Sequence, residues 1–200
     1  ARGRQDALIG GAGLLKDAPP QRHRDKLMAG FTQAFEGQAL PRLPGELIEQ
    51  LRQLDNPPLV LRVRLGDSAA LSQALSVIAN ATQPAKDRIE LIRATSDAGA
   101  DGLKPLLLIL VQTEPNADVV VAGLLALQRF ADDSLGQAVV GRYPEFPAAA
   151  RPAAISFLSS RPAWSRLLLS AVQSGSLAKR DISASTAELL LAHGGSVASP

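Results

Sequence analysis

Apolar side chains recur along this chain at three- and four-residue spacing, in segments of about a dozen residues that short Pro, Gly or Asp breaks separate. That spacing gathers the apolar positions on one face of an α-helix, so the pattern predicts one amphipathic helix after another. The first runs from about Arg4 to Lys16, weakened by Gly10, Gly11 and Gly13. Pro19 and Pro20 open a second, with Leu27, Met28, Phe31, Ala34 and Phe35 as its stripe and Gly37 as its stop. Pro44 opens a third, where Leu47, Ile48, Leu51 and Leu54 share a face opposite Glu46, Glu49, Gln50 and Arg52.

Leu59 to Leu65 breaks the pattern, because Leu61, Val63 and Leu65 alternate with Arg62 and Arg64 as in a half-buried strand. A lone strand among helices has no partner for its backbone hydrogen bonds, and each buried unpaired group costs about 1–3 kcal/mol, so the segment is expected to be helical. Asp67 or Ser68 then caps a helix with Leu71, Ala74, Leu75 and Ile78 on its stripe.

From Pro84 the pattern is regular. Pro84 to Thr95 buries Ile89, Leu91 and Ile92, and Gly102 to Val111 is almost wholly apolar, with Pro105 in its first turn. Asn116 caps Ala117 to Phe130, whose core face is Val120, Val121, Leu124, Leu127 and Phe130. Asp132 or Asp133 caps Leu135 to Tyr143. Pro147 to Ser159 presents Ala154, Ile155 and Leu158, and Pro162 to Gln173, ended by Gly175, presents Trp164, Leu167, Leu168 and Val172. Asp181 or Ser183 begins a closing helix with Ala187, Leu190 and Leu191 facing inward.

The helices that start at Pro84, Asn116, Pro147 and Asp181 are spaced by roughly 32 residues, within the range of helix-pair repeats. The expected fold is therefore all-α: an α-solenoid of about six helical hairpins, each burying its apolar face on its neighbours. Residues 1–193 are read as one repeat domain, less regular over 1–83 and regular over 84–193, followed by a flexible tail over 194–200. The chain opens at Ala1 and not at Met, and reads as a piece of something longer.

Composition adds detail and removes options. A hydrophobic content of 46% supplies a core, and with aromatic residues at 4% that core is expected to be Leu, Ala, Val and Ile. The net charge of +2 makes a weak field, and most of the excess sits early, in Arg2, Arg4, Lys16, Arg22, Arg24 and Lys26. With no Cys, there is no disulfide, thiolate nucleophile or haem-attachment site in this segment. The longest apolar run, Leu106 to Val111, is too short to cross a bilayer, so no membrane insertion is expected.

Asn116 to Leu127 resembles the second helix of a HEAT repeat. A more specific resemblance lies in Phe157, Leu158, Ser159, Ser160, Arg161, Pro162, Ala163 and Trp164, then Leu167 and Leu168, and on from Gly175 to Arg180, Asp181, Ile182 and Ser183. These are similar to the HEAT-like segment of the large Planctomycete/Verrucomicrobium-type haem-binding proteins. In that family a β-propeller-like region of membrane-bound-dehydrogenase type precedes the HEAT segment, and a haem domain with a CxxCH site follows it. The resemblance covers about Leu59 to His193 and implies an extracytoplasmic (periplasmic) spacer or docking module that contacts other domains of the same polypeptide or protein partners. It carries no catalytic residue onto this chain, and the haem site itself has no counterpart here.

Candidate chemistry is sparse. A metal site needs clustered ligands, and His23 and His193 lie at opposite ends of the chain. HEAT-repeat deoxyhypusine hydroxylases share the architecture but require His-Glu pairs absent here. Glu46 with Glu49, and Asp87 with Glu90, are three apart on a helix face and are read as surface ion pairs with Arg52 and Arg93. Gly11, Ala12 and Gly13 lack the third glycine and the preceding strand of a dinucleotide loop, and no nucleophile-elbow or phosphate-loop motif is present. Among the rare aromatics, Tyr143 and Trp164 are candidate interface anchors, Trp164 reading as core first; Arg161 beside it stacks or bridges between repeats. The expectation is a non-enzymatic scaffold without cofactor, cofactor-binding residue or metal in this segment, with Arg161 and Trp164 as interface or inter-repeat contacts. The alternative is a HEAT-like nucleic-acid-binding module, as in the alkylpurine DNA glycosylases this architecture resembles, which needs a continuous basic face.

Overall fold

A computed structural model describes residues 57–194. The expected helices before residue 57 and the tail from 195 lie outside the described residues. By contact the chain divides into two compact units, Ala1–Ala70 and Leu71–Pro200.

In the described part of the first unit, Leu59–Arg64 is helical (α1) despite its alternating sequence. Pro58 sets the start: its carbonyl accepts from the Leu61 and Arg62 amides, and Leu65 N–H closes the last turn on Leu61 O. Leu61 and Val63 are both buried although they point about 200° apart on a helix, so this short helix is covered on more than one side. Gly66, at φ 77°, turns the chain out of it. Asp67 then does two jobs. Its Oδ2 accepts from Arg62 and its Oδ1 accepts from the Ala70 amide, capping Ser68–Ala79 (α2), in whose first turn the boundary between the units falls.

The second unit continues with Ala85–Ala98 (α3), Leu103–Thr113 (α4), Ala117–Leu127 (α5), Asp133–Arg142 (α6), Arg151–Ser159 (α7), Pro162–Gln173 (α8) and Ala184–Gly194 (α9). The described residues contain helices and turns and no strand. None of these helices is long and apolar enough to cross a membrane.

Local chemistry sets the boundaries. α3 runs past Thr95 to Ala98, where Gly99, at φ 66°, supplies the left-handed stop; Thr95 Oγ1 donates to Leu91 O within the helix. Gly99 N–H then bonds Ser96 O, and Ala100 N–H bonds Thr95 O. Asn116 Oδ1 accepts from the Asp118 and Val119 amides and caps α5, which ends at Leu127; Phe130, expected on its core face, instead sits half-buried beyond the helix in a tighter turn. Asp132 caps α6 through the Ser134 amide. The single helix expected from Pro147 to Ser159 is divided: a 3₁₀ turn, Ala148–Ala150, precedes α7. An unbroken α-helix needs a Pro152 N–H for the Ala148 carbonyl, and proline has none, so the α ladder begins at Arg151 with Pro152 in the first turn.

Two interleaved series of helices emerge from the contacts. α3 packs on α5, α5 on α7 and α7 on α9; α4 packs on α6 and α6 on α8. The series are joined by α4 on α5, α6 on α7, α7 on α8 and α8 on α9. The core is mainly Leu, Ala, Val and Ile, as composition requires, yet its two largest fully buried side chains are aromatic, Trp164 and Phe157.

Candidate functional site

Trp164 stands in the first turn of α8, two residues after the proline that starts the helix. Its indole stacks on Phe157 of α7, ring centroids 4.3 Å apart and planes 12° from parallel. On α6 it lies against Gly136, where a Cβ would come within 2.4 Å of Trp164 Cδ1. Three helices therefore meet on one ring. Trp164 is wholly buried, and its Nε1 has no hydrogen-bond partner.

Arg161 closes the top of this cluster. Its guanidinium carbon sits 4.9 Å from the centre of the Trp164 ring, and its Nη2 donates to Gln128 O at 3.0 Å, at the C-terminal end of α5. The last carbonyls of a helix lack intrahelical donors and carry the negative end of its dipole, which suits a cation there. Arg161 and Trp164 are thus brought together, and both contact other helices of the same unit.

Similar ties recur. Arg129 Nη1 pairs with Asp97 Oδ1 at 2.9 Å between exposed side chains, and Lys104 Nζ pairs with Asp132. Lys104, first, and then Ser134 hold the Asp132 carboxyl down at about 2. Tyr143, buried after α6, donates its hydroxyl to Asp181 Oδ2 at 3.0 Å. Burial above all, and then the hydrogen bond to Asp181 and its charge, push the phenol up to about 12.

One tie has no counterpart in the sequence reading. Arg88 and Glu114 form a buried ion pair, Nη2 to Oε2 2.6 Å, with side chains 4% and 5% exposed. Each side chain makes a second bond: Arg88 Nε donates to Ile78 O at 3.0 Å, and Glu114 Oε1 accepts from the Asn116 amide at 2.9 Å. The pair links the end of α2, α3 and the turn into α5. Its signal was a charge on an apolar stripe, since Arg88 stands four before Ile92 and seven before Thr95, both buried.

Other singled-out residues stay apart. No ion pair joins Arg93 to Asp87 or Glu90 among the described residues. His23 and the side chain of His193 lie outside the described residues, and the described residues hold no group of three or more His, Cys, Asp or Glu placed to bind a metal ion. Leu191, expected to face inward, is 75% exposed. Its neighbour Leu190 takes the buried position, and Ser183, not Asp181, caps α9 by accepting from the Thr186 amide.

No protein-family model matches the chain, and no curated protein or solved structure matches it either.

Proposed function

We propose that the chain is an α-solenoid of HEAT-like hairpins acting as a non-catalytic scaffold, which positions other domains of a larger haem-containing dehydrogenase polypeptide or docks protein partners. The supporting observation is the stacking order: each helix of the second unit from α3 onward packs on the next but one, in two interleaved series. Repeat arrays bury their apolar faces in this way, one unit on its neighbour. Arg129 to Asp97 and Arg161 to Gln128 span 32 and 33 residues, close to the spacing of the helix starts. Phe157, Arg161 and Trp164, which carry much of the family resemblance, are packing residues here, so the resemblance speaks for architecture and not for a reaction.

The nucleic-acid alternative gains nothing from the side chains. Among the described residues Arg62, Arg88, Lys104, Arg129 and Arg142, five of the thirteen Lys and Arg side chains there, are each paired with a carboxylate, and Arg88 is buried.

Reading the parent gene on both sides of these 200 residues tests the assignment. A propeller-like region upstream and a CxxCH motif downstream are expected, and a parent without them sinks the haem-protein reading. Calorimetric titration of the chain with those flanking domains tests the scaffold role, which turnover of a substrate by the isolated chain would overturn.

A further inference from the structure

The sequence contains one Asp–Gly step, Asp101–Gly102, and no Asn–Gly. It lies in the turn that joins α3 to α4, where both residues are exposed. Among the described residues the Asp101 carboxyl makes no hydrogen bond or ion pair, and the Gly102 N–H bonds no other backbone group. The other described Asp and Asn residues are held differently. Asn80, Asn116 and Asp132 each accept from an amide two residues on, and Asp67, Asp97 and Asp181 are committed to Arg62, Arg129 and Tyr143. After Asp87, Asp118 and Asp133, in the first turns of helices, the next amide is already bonded to an acceptor. Gly102 is required by its φ of 81°, which a side chain resists, so the uncommitted carboxyl and amide come with the backbone that joins the two helices.

From this arrangement we infer that Asp101–Gly102 isomerises to isoaspartate in the folded protein, and that the product makes the chain a substrate for an S-adenosylmethionine-dependent isoaspartyl O-methyltransferase. The Gly102 nitrogen bonds Asp101 Cγ, and one carboxyl oxygen leaves as water with the amide proton and the acid proton, closing a succinimide ring. Glycine favours the closure, because no Cβ crowds the ring and its backbone reaches the required angles at low cost. Water then opens the imide. Attack at the side-chain carbonyl restores aspartate, while attack at the main-chain carbonyl leaves the chain running through Cγ, one methylene longer, with the α-carboxylate free. The methyltransferase moves the sulfonium methyl group onto that carboxylate and releases S-adenosylhomocysteine. The added methylene falls between Ala100 and Leu103, both buried and joined by Leu103 N–H to Ala100 O at 3.3 Å, so it loosens the α3–α4 turn. The inference does not rest on the scaffold reading.

The test holds the folded chain at neutral pH for as long as the same chain, unfolded in guanidinium chloride, takes to convert. Asp-N endoproteinase cuts before aspartate and not before isoaspartate, so it should lose most of its cutting before Asp101 in both samples, at unchanged mass. Isoaspartyl methyltransferase with labelled S-adenosylmethionine should label the peptide that contains Asp101, with the position fixed by electron-transfer fragmentation. Asp101→Glu, whose larger glutarimide ring closes far more slowly, should lose that label and keep its circular dichroism spectrum, since the side chain is exposed. A folded chain still fully cut before Asp101 when the unfolded one has converted, label that maps elsewhere and leaves Asp101 bare, or label retained at this position in Asp101→Glu would each overturn the proposal.

Discussion

The indole of Trp164 occupies the space that a side chain at position 136 would need, so α6 approaches α8 as closely as it does only because Gly136 has no Cβ. This glycine is kept by a neighbour and not by its own backbone angles, since its φ is ordinary for a helix.

Gly136→Ala should therefore destabilise the chain by about 1–3 kcal/mol through overpacking. Gly141→Ala, on the same helix with nothing within 4 Å of the added methyl, should instead stabilise by up to about 1 kcal/mol. Urea denaturation followed by circular dichroism of both variants reads the contrast, and equal effects would refute the close-approach account.

Replacing Trp164 separates packing from hydrogen bonding. Trp164→Ala empties a site between three helices and should lose about 3–5 kcal/mol. Trp164→Phe keeps a ring against Phe157 and removes a buried N–H that has no partner, so its loss should be much the smaller. A comparable loss in both would mean that the indole N–H is bonded after all.

The Arg88–Glu114 pair should behave as a unit. Either single truncation strands a buried charge and should cost about 3–5 kcal/mol, whereas replacing both by apolar residues of similar size should cost far less than the sum. A double-mutant cycle measures this, and additive losses would show the two side chains acting independently.

Acid should weaken the fold partly through Asp132. Its folded carboxyl titrates at about 2 against an ordinary 3.8, so the stabilisation it contributes is complete above about pH 4 and is lost as pH falls toward 2. Asp67, lowered by the Ala70 amide and then by Arg62, acts in the same direction. Asp132→Asn should flatten the slope of stability against pH in that window, as read from urea midpoints. An unchanged slope would remove Asp132 as a contributor.

At the other end of the scale, Tyr143 is the chain's one tyrosine, so its ultraviolet phenolate signal is unmixed. The folded protein should titrate near 12 and the unfolded chain near 10. The folded value is the raised one, so the associated stability is complete below about pH 10 and is lost as pH climbs toward 12. Asp181→Asn should lower the folded value while leaving most of the rise, because burial is its larger cause.

Helix order in the described region was legible because caps and breakers act within a few residues. Pro58, Asn116, Asp132 and Pro162 stand at or just before helix starts, and Gly99 and Gly175 turn left-handed at helix ends. Effects that depend on what packs against a helix were not legible. Leu191 has the spacing of a core residue, and whether that face is covered depends on what packs there, not on α9 itself. Arg88 was missed because its carboxylate partner is 26 residues away, beyond any local pattern. Pro152 could have warned that the α ladder must start late, but the run of alanines before it looked like an uninterrupted helix.

The spans of these ties bear on how the chain folds. Arg88 to Glu114, Lys104 to Asp132, Arg129 to Asp97 and Arg161 to Gln128 close loops of 26, 28, 32 and 33 residues. Loop-closure entropy grows only with the logarithm of loop length, so these four closures cost nearly the same. The more local the contacts that a fold needs, the faster it forms. A helix pair can thus settle on the one before it as soon as about thirty more residues are available, which suits a protein assembled in order as it leaves the ribosome.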